Sequence, residues 1–162
     1  MFTVRVLLAA AVLAVLCSAC SVDSKTFDDQ IWLHGDPDPG GKLTAVVSAV
    51  FYAYPAEATV TLRTTDRLEW DFCPNRPGHN GWQPIRAQVE FAVVGSTDRI
   101  VGSVGSSLQQ AGWSVDYGSD GPAWIRPAAT GVAHARLRAD QAWTGGLIAW
   151  NLTAEVPAVK GC

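Results

Sequence analysis

The chain is 162 residues long and carries 12 Lys and Arg against 15 Asp and Glu, with four Cys and seven Trp. That length is one domain's worth of chain, enough to bury a core of its own. A net charge of −3 argues against a nucleic-acid partner, which needs a concentrated cationic face.

Residues 1–20 are an address. Behind Arg5, an apolar core at residues 6–16 narrows to Ser18 and Ala19 just before Cys20, the grammar of an export signal. The core falls well short of the roughly 20 apolar residues that a transmembrane helix requires. The run Leu16-Cys17-Ser18-Ala19-Cys20 resembles a bacterial lipobox, with Cys17 standing where an aliphatic residue is usual. That resemblance implies cleavage before Cys20, which becomes the lipidated first residue, anchored by several fatty acyl chains such as palmitate. The protein would then be a lipoprotein held on the extracytoplasmic face of the cell membrane; ordinary signal cleavage with free secretion is the alternative. The expected organisation is a signal peptide at 1–19, a lipidated N-terminus with a flexible tether at 20–41, and a single extracytoplasmic domain at 42–162.

With Cys17 removed and Cys20 carrying lipid, Cys73 and Cys162 remain, a natural disulfide pair in an oxidising compartment. Closing a loop of about 90 residues would contribute roughly 4–5 kcal/mol in the chain-entropy picture and would pin the end of the chain. Neither cysteine has a second Cys or His at ligand spacing, so a metal site there has no support.

Within the tether, Asp, Ser, Pro and Gly surround a brief apolar patch at Ile31, Trp32 and Leu33, a composition suited to a solvated spacer. His34, Asp36 and Asp38 alternate with Gly35 and Pro37, which predicts turns and no metal. A helix is then predicted up to Pro55. Asp38-Pro39 supplies its N-cap and first turn, and Leu43, Val46, Val47, Val50, Phe51 and Tyr54 form one apolar face. From Thr59 the period becomes two. Strands are predicted at 59–64 and 67–72, followed by a loop at 73–82 rich in Pro, Gly and Asn. This loop holds the candidate ligand-binding residues Arg76, His79, Asn80 and Trp82: a guanidinium forks onto phosphate or carboxylate, and an indole stacks on a sugar or lipid headgroup. The other reading is an ordinary solvated connection.

A strand at 85–93 alternates cleanly and is expected to pair with 67–72. Ser96 or Thr97 caps a second helix with Ile100, Val101, Val104, Leu108 and Ala111 as its stripe and Gly112 as its stop. Gly102 and Gly105 cost helix propensity of about 1 kcal/mol each and suit close packing on a sheet. Short strands between glycine turns fill the remainder: 113–117, 123–126, 132–138 and 147–156.

The order predicts an α+β fold: an antiparallel meandering sheet with two helices packed on one face and one disulfide. The pattern of a strand ending in Cys73, a Gly/Pro loop, the strand at 85–93, a helix closing in Gln110-Ala111-Gly112-Trp113, hairpins and a last strand leading to Cys162 resembles small lipoproteins of mycobacteria and related actinobacteria. The likeness covers residues 42–162. It implies a place and a fold in the cell envelope and assigns no catalytic residue.

His34, His79 and His134 sit in none of the local nucleophile or zinc motifs, and no cofactor motif is present. The expected function is therefore a non-catalytic binding or assembly module, anchored to the membrane by its lipid, with an envelope protein, glycan or lipid as partner. A glycan- or cell-wall-binding module using exposed Trp is the alternative, and an enzyme with a triad dispersed in sequence is the third reading. The seven Trp serve either as core or as a stacking surface.

Overall fold

A computed structural model describes residues 27–66, 69–71, 81–142 and 146–160. In chain order come helix α1 (Phe27–His34), a 3-10 turn (Pro39–Gly41), α2 (Lys42–Val47) running into a second 3-10 turn (Ser48–Tyr52), β1 (Thr59–Thr65), β2 (Ile85–Val94), α3 (Thr97–Gln110), β3 (Ser114–Val115), β4 (Ala123–Ala128), β5 (Gly131–Ala142) and β6 (Leu147–Val156). The strands form one antiparallel sheet in the order β1-β2-β6-β5-β4-β3. The chain is thus an α+β fold, as its alternating patterns predict.

Two corrections concern the N-terminal half. The segment expected to be a flexible tether is ordered structure from Phe27 onward. Gln30 Oε1 accepts a hydrogen bond from the Trp70 N–H at 3.2 Å, the His34 ring stacks on Trp70 with centroids 3.8 Å apart, and Pro37 is fully buried with its carbonyl accepting from Val159 N–H at 3.0 Å. The partners that order this segment lie far along the chain, where composition does not reveal them. The second correction concerns the partner of the strand at 85–93, expected to be 67–72, of which only residues 69–71 are described. Trp70 makes an isolated bridge to Trp82, flanked by hydrogen bonds from Gln83 N–H to Glu69 C=O and from Asp71 N–H to Gly81 C=O. Strand β2 pairs instead with β1, Thr65 facing Ala87. The bridge continues that same hairpin past Pro84, which has no N–H to give the ladder.

The predicted first helix is present but changes character. Its α-helical part ends at Val47, and Ser48–Tyr52 tightens to 3-10 geometry. The stretch Val46-Val47 is β-branched, which lowers helix propensity, and Pro55 disfavours helical backbone at Tyr54. Asp38 does cap α2, though from outside the helix. Its carboxylate accepts from Leu43 N–H and Thr44 N–H, both at 2.8 Å, while Gly41 occupies the N-cap position itself at φ 66°.

Helix α3 follows the sequence closely. Ser96 is the N-cap and its side chain accepts from Arg99 N–H. At the other end Gly112 takes φ 85°, Trp113 N–H bonds Leu108 C=O at 3.0 Å and Gly112 N–H bonds Gln109 C=O at 2.9 Å, the paired closure of a Schellman motif. Gly105 is buried and permits close approach: a Cβ there would stand 3.4 Å from the Trp124 indole, whereas Gly102 has nothing within 4 Å.

The core lies between α2, α3 and one face of the sheet. Leu43, Val47 and Val50 on one side, and Ile100, Val104 and Leu108 on the other, meet Ala87, Val89 and Phe91 of β2 and Trp150, Leu152 and Ala154 of β6. Across those two central strands Ala87 faces Ala154, Val89 faces Leu152 and Phe91 faces Trp150, so burial on one face fixes the register of both. Bulges interrupt the pairing between Val60 and Leu62 and between Ala139 and Gln141, and such insertions bend and twist long strands.

Candidate functional site

Because strand side chains alternate, the register that buries Phe91 and Leu152 also places every second residue of the same strands on the other face. Three rows of side chains, polar but for Leu62, run across it. Asp66, Arg86, Glu155 and His134 form one row, since Asp66 N–H bonds Arg86 C=O, Arg86 faces Glu155 and Glu155 faces His134. Thr64, Gln88, Thr153 and Arg136 form the next, and Leu62, Glu90, Asn151 and Arg138 the third. None of the described helices covers these rows. Apart from Leu62, Thr64 and Glu90, these residues line a hollow of about 680 Å³, within the size range of small-ligand sites. The turn that carries Asp116 and Ser119 forms one wall, and the bulged Asp140 lies at the far end.

The charges in this hollow are unevenly committed. Arg86 is held between Glu155 at 3.1 Å and Asp66 at 3.3 Å. The hydrogen bond it donates to Glu155, against some burial and with the attraction of both carboxylates, holds its guanidinium still more firmly protonated than usual. Gln88 Nε2 donates to Glu90 Oε1 at 2.8 Å. Asp116 Oδ2 accepts from Ser119 Oγ at 2.5 Å and Oδ1 from Gly118 N–H at 3.0 Å. These bonds, the Ser119 one foremost, draw the Asp116 carboxyl below its ordinary value, with attraction from His134 and Arg136 adding to them.

Arg136 and Arg138 stand apart. Two residues apart on β5, they share this face and are exposed, and neither forms a salt bridge with any described residue. Asn151, directly across from Arg138, has an Oδ1 atom that is shielded from solvent and lacks a hydrogen-bond partner. A native fold seldom leaves a buried acceptor unsatisfied. Two free guanidinium forks and an idle amide carbonyl are thus gathered over three adjacent side chains.

Asp116, Ser119 and His134 line the same hollow, yet their geometry is not a nucleophile and base relay. The Ser119 hydroxyl donates to Asp116, and His134 makes no hydrogen bond with either residue. No group of three or more His, Cys, Asp or Glu among the described residues is arranged to hold a metal ion.

Of the residues singled out in the sequence, Cys20, Cys73, Cys162, Arg76, His79 and Asn80 lie outside the described residues. Trp82 is described, and it is 4% exposed. Its ring meets Trp70 edge-on at 5.2 Å and His34 edge-on at 6.4 Å. This corrects its assignment as a ligand-binding residue: the indole is packed in an aromatic cluster, because the bridge at Trp70 turns it back onto the domain. Trp113, Trp124 and Trp150 are buried as well, so these indoles form no exposed stacking platform. The open-face arginines were not singled out by sequence reasoning. The alternation of His134, Arg136 and Arg138 marks them as one face of a strand, but the neighbours Thr153 and Asn151 come from β6 and are revealed only by pairing. Comparison with protein-family models, curated proteins and solved structures finds no match for this chain.

Proposed function

We propose that the chain is an exported, lipid-anchored module of the cell envelope that acts by binding and not by catalysis, and that its open sheet face takes a polar ligand carrying a carboxylate or phosphate together with hydroxyl groups, as an acidic sugar does. The observation that carries the ligand class is the pair Arg136 and Arg138, free of ion pairs and beside the unsatisfied Asn151 Oδ1. Guanidinium forks grip oxyanions in a bidentate manner, while the Asn151 amide oxygen and the carboxylates of Asp116 and Asp140 accept hydrogen bonds from hydroxyl groups. The anchor rests on Cys20 and the export signal before it; among the described residues no helix is long and apolar enough to cross a membrane.

The disulfide between Cys73 and Cys162 belongs to this reading. Support for it comes from the two chain segments that approach the cysteines. Trp70 stacks on His34 and Val159 bonds Pro37, so the routes to both cysteines leave from one short stretch of the chain. A peptide linking the two cysteines in a non-reduced digest tests the bridge, and free thiols at both positions in envelope-derived protein would refute it.

Calorimetric titration of the solubilised protein tests the site. Glucuronate and glucose 6-phosphate should bind and neutral glucose should not, and the double variant Arg136→Ala, Arg138→Ala should lose binding without a change in melting temperature. Equal binding of glucose, or binding that survives the double substitution, would sink the assignment. Location is tested separately, by transfer of Cys20→Ala from the membrane to the soluble extracytoplasmic fraction.

A further inference from the structure

Helix α1 presents two adjacent large apolar side chains that no described residue covers: Trp32 is 89% exposed and Leu33 62%. This is not a loose end. The inner side of the helix is fixed by the hydrogen bond from Trp70 N–H to Gln30 and by the His34 stack on Trp70, so the outward direction of Trp32 and Leu33 is set by the domain. An outward apolar patch built on a fixed element marks an interaction surface, and its position in the chain indicates the partner. Only residues 21–26 separate the helix from Cys20, a reach of about 20–25 Å even when fully extended.

We propose that Trp32 and Leu33 insert into the headgroup region of the bilayer that holds the Cys20 lipid, making a second, non-covalent contact that sets how the domain stands on the membrane. The proposal rests on the lipid-anchor reading above. Trp favours the boundary between headgroups and acyl chains because its ring is apolar and its N–H is not. Tethering supplies the rest: a contact too weak to recruit a free protein suffices once the lipid confines the helix near the surface, where the effective concentration is high. The contact is apolar, not electrostatic. Residues 21–42 carry five Asp against two Lys, a net negative segment that anionic lipid does not attract in the way it attracts polybasic segments.

The test uses the full lipidated protein reconstituted in phosphatidylcholine vesicles whose acyl chains are brominated near the headgroup. Bromine quenches indoles only at short range, and Trp82, Trp113, Trp124 and Trp150 are buried in the fold. Wild-type fluorescence should be quenched, Trp32→Phe should lose most of that quenching, and phosphatidylglycerol should not enhance it. Equal quenching in wild type and Trp32→Phe would overturn the proposal. So would absence of quenching, whether the indole then proves to be covered by a second copy of the chain or left in water. Co-sedimentation with the vesicles reads the anchor independently: protein that sediments without quenching retains the anchor and refutes the α1 contact, whereas protein that fails to sediment refutes both.

Discussion

The two faces of the sheet are made by the same strands, in the same register, and obey different rules. On the helix-covered face Ala87, Val89 and Phe91 alternate with open-face Arg86, Gln88 and Glu90 along a single strand. What occupies the covered face is dictated by volume and by exclusion of water. What occupies the open face is required to be soluble and little else, so the fold gives no reason for two arginines to stand unpaired beside an unsatisfied amide. Residues that stability does not account for are where function is to be sought.

The comparison breaks most visibly if the covered face is emptied. Phe91→Ala, at a position 1% exposed, should cost about 3–5 kcal/mol in urea unfolding; a cost under 1 kcal/mol would mean that the covered face is not the core. Next in size is Asp38→Ala, which removes the cap of α2 and should cost about 1–2 kcal/mol. Burial raises the Asp38 carboxyl, but the Thr44 hydroxyl and the N–H groups of Leu43, Thr44 and Lys42 outweigh it and leave the folded pKa below the ordinary 3.8. Its stabilisation is therefore complete above that value and is lost as pH falls through the lowered folded value. Wild type and Asp38→Ala should accordingly converge in stability in acid, as thermal melts at stepped pH will show.

Helix α3 repeats the comparison on a smaller scale. Gly102→Ala, in open space, should stabilise by about 0.5–1 kcal/mol through helix propensity. Gly105→Ala should gain less, since the new methyl meets Trp124. The smallest effect sharpens the contrast: Arg136→Ala with Arg138→Ala should change stability by less than about 0.5 kcal/mol while removing ligand binding. A large loss of stability there would erase the distinction between the faces.

Legibility in the sequence divides along similar lines. Strand β2 and helix α3 were readable because their signals are local: strict alternation from Ile85, a serine cap, and a glycine stop before Trp113. The 67–72 segment carried an equally clean alternation, but alternation specifies which side chains share a face and not whether a ladder closes, and Pro84 removes a donor on the opposing chain. Helix α1 was missed because Ile31-Trp32-Leu33 is a run without a period, and its partner Trp70 lies 40 residues away. For the site, the spacing of His134, Arg136 and Arg138 showed a polar strand face. Its role depended on β6 lying alongside, a non-local fact. Of the loop residues favoured from sequence, Trp82 proved to be packing, its chemistry serving an aromatic cluster instead of a ligand.

The strand order carries a consequence for how such a chain matures. Strand β6, which follows the other described strands in chain order, lies between β2 and β5, so the centre of the sheet stays unjoined until residues 147–156 have arrived. Until then the edge of β2 that β6 will cover is bare, and an unpaired edge invites pairing with other chains. Long-range closure of this kind is slow compared with hairpin formation. A nascent chain halted anywhere before β6 would therefore hold an open sheet, prone to pairing with other chains until residues 147–156 are delivered.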